Sequence, residues 1–169
     1  DSGPTNVVQA FNPTTNTWAS KASLPETLYE GDGAVELRGR MYVAGGWNGS
    51  LPTNTLYAYD PATDSWAAKA PLPHLSGCGT SEKIDGKLYV TTACDGYSGY
   101  RRDLDVYDPS ADRWKRLKSS HHAHGDGVAA AIDGKLYVAG GLNGAGASGA
   151  DTEIYDPTTD AWTDLASMP

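Results

Sequence analysis

Apolar residues in this chain come in runs of four or five, and each run is cut short by Gly, Asp or Pro before a helical period can establish itself. The clearest case is Val128-Ala129-Ala130-Ala131-Ile132, followed by Asp133-Gly134 and then Leu136-Tyr137-Val138-Ala139. Asp-Gly between two such runs predicts a two-residue hairpin joining a strand A to a strand B. Strand B stops at a glycine pair, Gly45-Gly46 or Gly140-Gly141. Beyond a longer loop, Leu104-Asp105-Val106-Tyr107 predicts a strand C that runs into Asp108-Pro109. There Pro sets φ for a turn and the carboxylate accepts nearby backbone N–H groups. A strand D opens with Trp114.

This order repeats. Trp18, Trp66, Trp114 and Trp162 are 48 residues apart, and Phe11-Asn12-Pro13, Tyr59-Asp60-Pro61, Tyr107-Asp108-Pro109 and Tyr155-Asp156-Pro157 keep the same step. Arg40-Met41-Tyr42-Val43, Lys87-Leu88-Tyr89-Val90 and Lys135-Leu136-Tyr137-Val138, each after a Gly, mark strand B. A kept period of this length signals stacked supersecondary units. Four antiparallel strands cannot bury both faces alone, so the units must stack face to face with Trp and Tyr filling the space between. Small residues in strand A fit a crowded axis and bulky ones in strand D fit a wide rim, which is the taper of an all-β propeller blade. A C and D pair (Val7 to Phe11, Trp18 to Lys21) precedes three complete units, which makes 14 strands.

The glycine pair closing strand B, followed after a spacer by Tyr-Asp-Pro and then Trp, resembles the kelch repeat. The resemblance covers essentially the whole chain and implies a kelch-type β-propeller arc of four-stranded antiparallel blades. Residues 1–24 form a half-blade (strands C and D), and 25–72, 73–120 and 121–169 form three full blades. One departure is visible: Thr92-Ala93 stands where the other units have Gly-Gly. A Cβ at both positions should reshape the end of that strand while leaving the blade intact. Three and a half blades cannot close a ring. The expectation is therefore a piece of a larger propeller, or a subunit that self-associates, most simply as a dimer through its exposed end blades. Asp1 in place of Met fits a processed terminus or a chain cut from something longer.

Composition sharpens this picture. Leu, Ile, Val and Phe number only 25 of 169 residues, and the net charge is −8, a balance that by itself would suggest a chain without a core. Five Trp and ten Tyr at periodic positions replace the missing aliphatics. Twenty Gly and ten Pro keep every element short. A pI near 4.8 argues against a nucleic-acid backbone or an anionic membrane surface as the main partner, and no apolar run approaches the roughly 18 residues of a spanning helix.

The kelch resemblance implies that the loops from strand B to C and from strand D to the next A build the binding face. Here the B to C loops are 47–54, 94–103 and 142–151, and the D to A loops are 24–32, 72–78 and 119–126. Arg101 and Arg102 lie beside Tyr97 and Tyr100, and Tyr29 and Trp47 come from the neighbouring blade. Guanidinium forks next to aromatic faces suit a carboxylate or a sugar ring. The set Tyr29, Trp47, Tyr97, Tyr100, Arg101 and Arg102 is thus the candidate site for a protein or carbohydrate ligand. His121, His122 and His124, with Asp126 following, are the right types for a first-row metal, but strand-like spacing alternates their directions and no distant Cys or His completes a set, so an exposed polar loop is the favoured reading and no metal is expected. No nucleophile elbow or phosphate-cradling loop is present, so no cofactor is expected. A non-catalytic interaction propeller is the favoured reading. The alternative is a sugar-active propeller resembling the bacterial sialic-acid mutarotases, for which Glu26, Glu30 and Arg101 would be the proton-transfer candidates. Cys78 and Cys94 are the only cysteines. The Asp85-Gly86 hairpin sets Cys78 opposite residue 93, so a disulfide to Cys94 requires a bulge to bring both side chains to one face.

Overall fold

A computed structural model describes residues 5–97 and 99–169. Residues 1–4 of the expected half-blade and residue 98 of the expected 94–103 loop lie outside the described residues. Among the described residues there are fourteen strands and no helix. Strands β1 (Val8–Asn12) and β2 (Thr17–Lys21) form a two-stranded sheet. Three four-stranded meanders follow. They are β3 (Ala34–Leu37), β4 (Arg40–Ala44), β5 (Leu56–Asp60) and β6 (Ser65–Ala68); then β7 (Thr80–Ile84), β8 (Lys87–Cys94), β9 (Tyr100–Asp108) and β10 (Arg113–Arg116); then β11 (Val128–Ile132), β12 (Lys135–Ala139), β13 (Thr152–Asp156) and β14 (Ala161–Asp164). Every pairing is antiparallel between strands consecutive in the chain. The inner hairpins turn at Arg38-Gly39, Asp85-Gly86 and Asp133-Gly134 with both central residues at positive φ, the turn whose twist matches the strands it joins.

The core lies between blades. One cluster joins Leu37, Tyr42, Leu56 and Ala58 of the first full blade to Leu88, Val90 and Tyr107 of the second. Another joins Ile84, Tyr89, Leu104 and Val106 to Leu136, Val138, Tyr155 and Trp162. Tyr rings cross both seams, with centroids 5.9 Å apart for Tyr42 and Tyr107 and 6.3 Å for Tyr89 and Tyr155. Polar latches add to the apolar contact. Trp66, Trp114 and Trp162 each donate Nε1–H, at 2.8 Å, to the carbonyl of Ala22, Ala70 and Lys118 just beyond the preceding outer strand. Asp64, Asp112 and Asp160 accept the N–H of the same three residues, and each also accepts the hydroxyl of Tyr59, Tyr107 or Tyr155 at 2.7 Å. One residue of the two-stranded sheet and of each of the first two full blades is thus clamped at both its N–H and its C=O by the blade that follows.

The blade with Thr92-Ala93 departs from its neighbours as the sequence suggests. In the other two, glycines at positive φ (Gly45 at 57° and Gly46 at 106°, Gly140 at 65° and Gly141 at 88°) end strand B after five residues. Thr92 and Ala93 do not enter that region, so β8 runs on for eight residues and β9 for nine. Cys94 and Tyr100 to Asp103, read from sequence as loop, therefore lie in strands.

Candidate functional site

The lengthened β8–β9 hairpin builds a cleft lined by aromatic side chains. Trp47, Cys94, Gly96, Tyr97, Gly99 and Tyr100 line an open space of about 230 Å3. Each aromatic wall is seated on a glycine: a Cβ at Gly77 would overlap the Trp47 indole, and one at Gly125 would overlap the Tyr100 ring. These two glycines occupy one repeat position, where the first full blade has Tyr29. Tyr29 exchanges backbone hydrogen bonds with Trp47 at 3.0 and 2.8 Å, and their rings stack with centroids 6.5 Å apart. Tyr97 stands at the rim, 74% exposed.

A disulfide between Cys78 and Cys94, Cα atoms 5.3 Å apart, ties the hairpin to the loop that enters its blade. The bulge lies between β8 and β9. Pairing passes from Thr92↔Asp103 to Cys94↔Tyr100, so Ala93 faces both Arg101 and Arg102. The extra residue splits the two arginines. Arg101 donates Nε–H to Asp103 at 2.6 Å and Nη1–H to Asp95 at 3.3 Å, whereas Arg102 donates to the carbonyl of His121 at 2.9 Å. Neither lines the cleft. Of the six residues singled out from sequence, the structure places Trp47, Tyr97 and Tyr100 around one space and Tyr29 behind Trp47, while both guanidinium groups are engaged by protein acceptors.

Beside the cleft lies an ionic group that sequence reasoning missed. Burial opposes ionisation of Asp103, yet the Arg101 guanidinium holds its carboxyl below the usual range. Arg116 approaches Asp103 at 3.4 Å and Asp105 at 3.8 Å. Asp105 is fully buried with neither carboxylate oxygen hydrogen-bonded, and burial pushes it up to about 6 despite Arg116. The signal available was alternation: a carboxylate two residues before a buried strand C Tyr must face the same way as the Tyr. Glu153 holds the same position before Tyr155 and is also fully buried. Its carboxylate accepts the N–H groups of His121 and His122 at 2.8 and 3.0 Å and faces His124 Nε2 at 2.8 Å. Burial disfavours a charged His124, but the Glu153 carboxylate and the Gly140 carbonyl raise it overall. Both ring nitrogens of His124 face acceptors at 2.8 Å, the Gly140 carbonyl and the Glu153 carboxylate, so both donate and His124 is half of a buried ion pair, whereas His121 and His122 are exposed beside Asp164 and Asp151. Of the proton-transfer candidates, Glu26 is half-buried with Tyr57 against it, Glu30 is exposed, and Arg101 is ion-paired.

The family described as the kelch motif matches residues 33–73 and 125–169, just over half of the chain. No curated protein matches it. Among solved structures the chain is similar to that titled "Structure of YjhT", with a TM-score of 0.78 and 19% sequence identity. The match covers 90% of this chain and 56% of that one, so this chain spans a little over half the length of that neighbour.

Proposed function

We propose, from the premise that the chain belongs to the kelch-repeat family, that it is a non-catalytic binding module whose B to C and D to A loops receive one sugar unit of a glycan in the Trp47, Tyr97 and Tyr100 cleft. The observation that carries this is the placing of three aromatic side chains around one open space. Aromatic faces stack on the apolar C–H faces of a sugar ring, and a space of about 230 Å3 is below the roughly 300–1,000 Å3 of sites that enclose drug-sized ligands, so it suits a single ring. The guanidinium groups beside it are engaged, which favours a neutral ring over an anion. Tyr29 and the Cys78–Cys94 disulfide hold the walls in place before the ligand arrives, which lowers the ordering cost of binding.

The test is a glycan screen followed by NMR titration of the best hit. Tyr97→Ala, at a rim position that folding does not need, should weaken binding roughly tenfold, the loss of one aromatic contact of about 1.4 kcal/mol. Unchanged affinity in both Tyr97→Ala and Trp47→Ala moves the site elsewhere. Anomer exchange above the spontaneous rate in the same spectra would replace this reading with the sugar-active one.

A further inference from the structure

At the blade built from β11 to β14, one group of side chains lies outside the residues that line the cleft. Nδ1 of His121 lies 2.8 Å from Asp164 Oδ1 and 3.4 Å from Glu153 Oε1, and one ligand atom from each of the three residues lies within 4.8 Å of the other two. Nε2 of His122 is 3.7 Å from the same Asp164 oxygen, and its Nδ1 is 3.6 Å from Asp151 Oδ2. One imidazole and two carboxylates thus converge, with His122 and Asp151 beside them, from two loops and two strands. We propose that this group is a binding site for a zinc-class divalent transition metal, with His121 Nδ1, Glu153 Oε1 and Asp164 Oδ1 as ligands and His122 completing the set.

The spacing fits. A tetrahedral zinc bound at about 2.1 Å by nitrogen and oxygen separates neighbouring ligand atoms by about 3.4 Å. His121 Nδ1 and Glu153 Oε1 already stand at 3.4 Å, and Asp164, 60% exposed, can move outward from its 2.8 Å contact. The anchor is Glu153. Its Oε2 accepts from His122 N–H and His124, whereas Oε1 accepts one N–H, from His121, and keeps a lone pair on the side of the His121 ring. A buried carboxylate fixed this way is a pre-oriented ligand, with His124 in the outer role that tunes metal sites. Mixed imidazole and carboxylate donors favour zinc, nickel or copper, whereas calcium and magnesium prefer oxygen alone.

Isothermal titration of the untagged, EDTA-treated full chain with ZnCl2 tests this. The expected result is saturable binding of about one zinc per chain, no comparable heat with CaCl2, and a cobalt-loaded protein with the intense visible absorption of tetrahedral coordination. His121→Ala keeps the backbone N–H that Glu153 accepts and should weaken zinc binding at least tenfold, as should Asp164→Asn. His74→Ala, outside the group, should leave it unchanged. Circular dichroism of each variant shows that it folds. Absence of saturable zinc binding, binding unaffected by both His121→Ala and Asp164→Asn, or equal binding of calcium overturns the proposal.

Discussion

Asp105 and Glu153 stand one repeat apart on equivalent strands, both fully buried, yet only one is satisfied. The difference lies in the loop opposite. Where the last blade offers His121 N–H, His122 N–H and the His124 ring to Glu153, the preceding blade has Pro73, His74 and Ser76 at the same positions. Proline has no N–H to give, and serine is too short to replace histidine. Asp105 is left with Arg116 at 3.8 Å, and burial raises its carboxyl to about 6, above the ordinary 3.8 of the unfolded chain. The folded state then binds more protons than the unfolded between those two values, so this group penalises folding fully above pH 6, and the penalty fades as pH falls towards 4. Asp105→Asn should accordingly be more stable than the parent at pH 8, by on the order of 1–3 kcal/mol, with the gain gone near pH 4. Denaturant melts of both proteins at the two pH values check this, and an equal difference at both would refute it.

At the scale of the element, the hairpin of β8 and β9 turns a repeat into a site. Two residues with Cβ atoms in place of a glycine pair let the strands run on, the bulge turns Arg101 and Arg102 to different acceptors, and the disulfide fixes the strand end under the cleft. A cross-link spanning 16 residues restricts the unfolded chain by about 3 kcal/mol. Reduction, or Cys78→Ser with Cys94→Ser, should therefore lower the melting temperature by several degrees and weaken whatever occupies the cleft. A melting curve insensitive to reductant would show that the hairpin is held by its hydrogen bonds alone.

For the whole molecule, the repeated latch makes an unmatched pair. Trp66, Trp114 and Trp162 find their acceptors one blade back, whereas Trp18 is 66% exposed and Phe11 46% exposed with no preceding blade among the described residues to cover them. The carbonyl that Ala22, Ala70 and Lys118 supply recurs one period later at Ala166, also exposed. We propose that in this 169-residue chain a second copy places its Ala166 against Trp18, repeating the contact already made between blades. We expect light scattering at micromolar concentration to give a mass above the 17.8 kDa of one chain, reduced by Trp18→Lys. A monomer at every concentration tested would sink the self-association.

The sequence by itself determined the strands, their meander order, the tight hairpins and the aromatic seams, because each rests on local rules: a period of 48, Asp-Gly turns, and alternation along short strands. It also singled out Trp47, Tyr97 and Tyr100, although Tyr100 stands in β9 and not in a loop. What only the tertiary structure decided is which polar groups find each other across long separations. Arg102 reaches His121 over 19 residues, His124 reaches Glu153 over 29, and His121 reaches Asp164 over 43. The arginines that sequence offered to a ligand went to protein acceptors because one bulge redirected them, and the histidines gained their carboxylates from strands folded back beside their loop. Register shifts and loop crossings leave no local mark, since their cost and reward are settled only when distant segments pack.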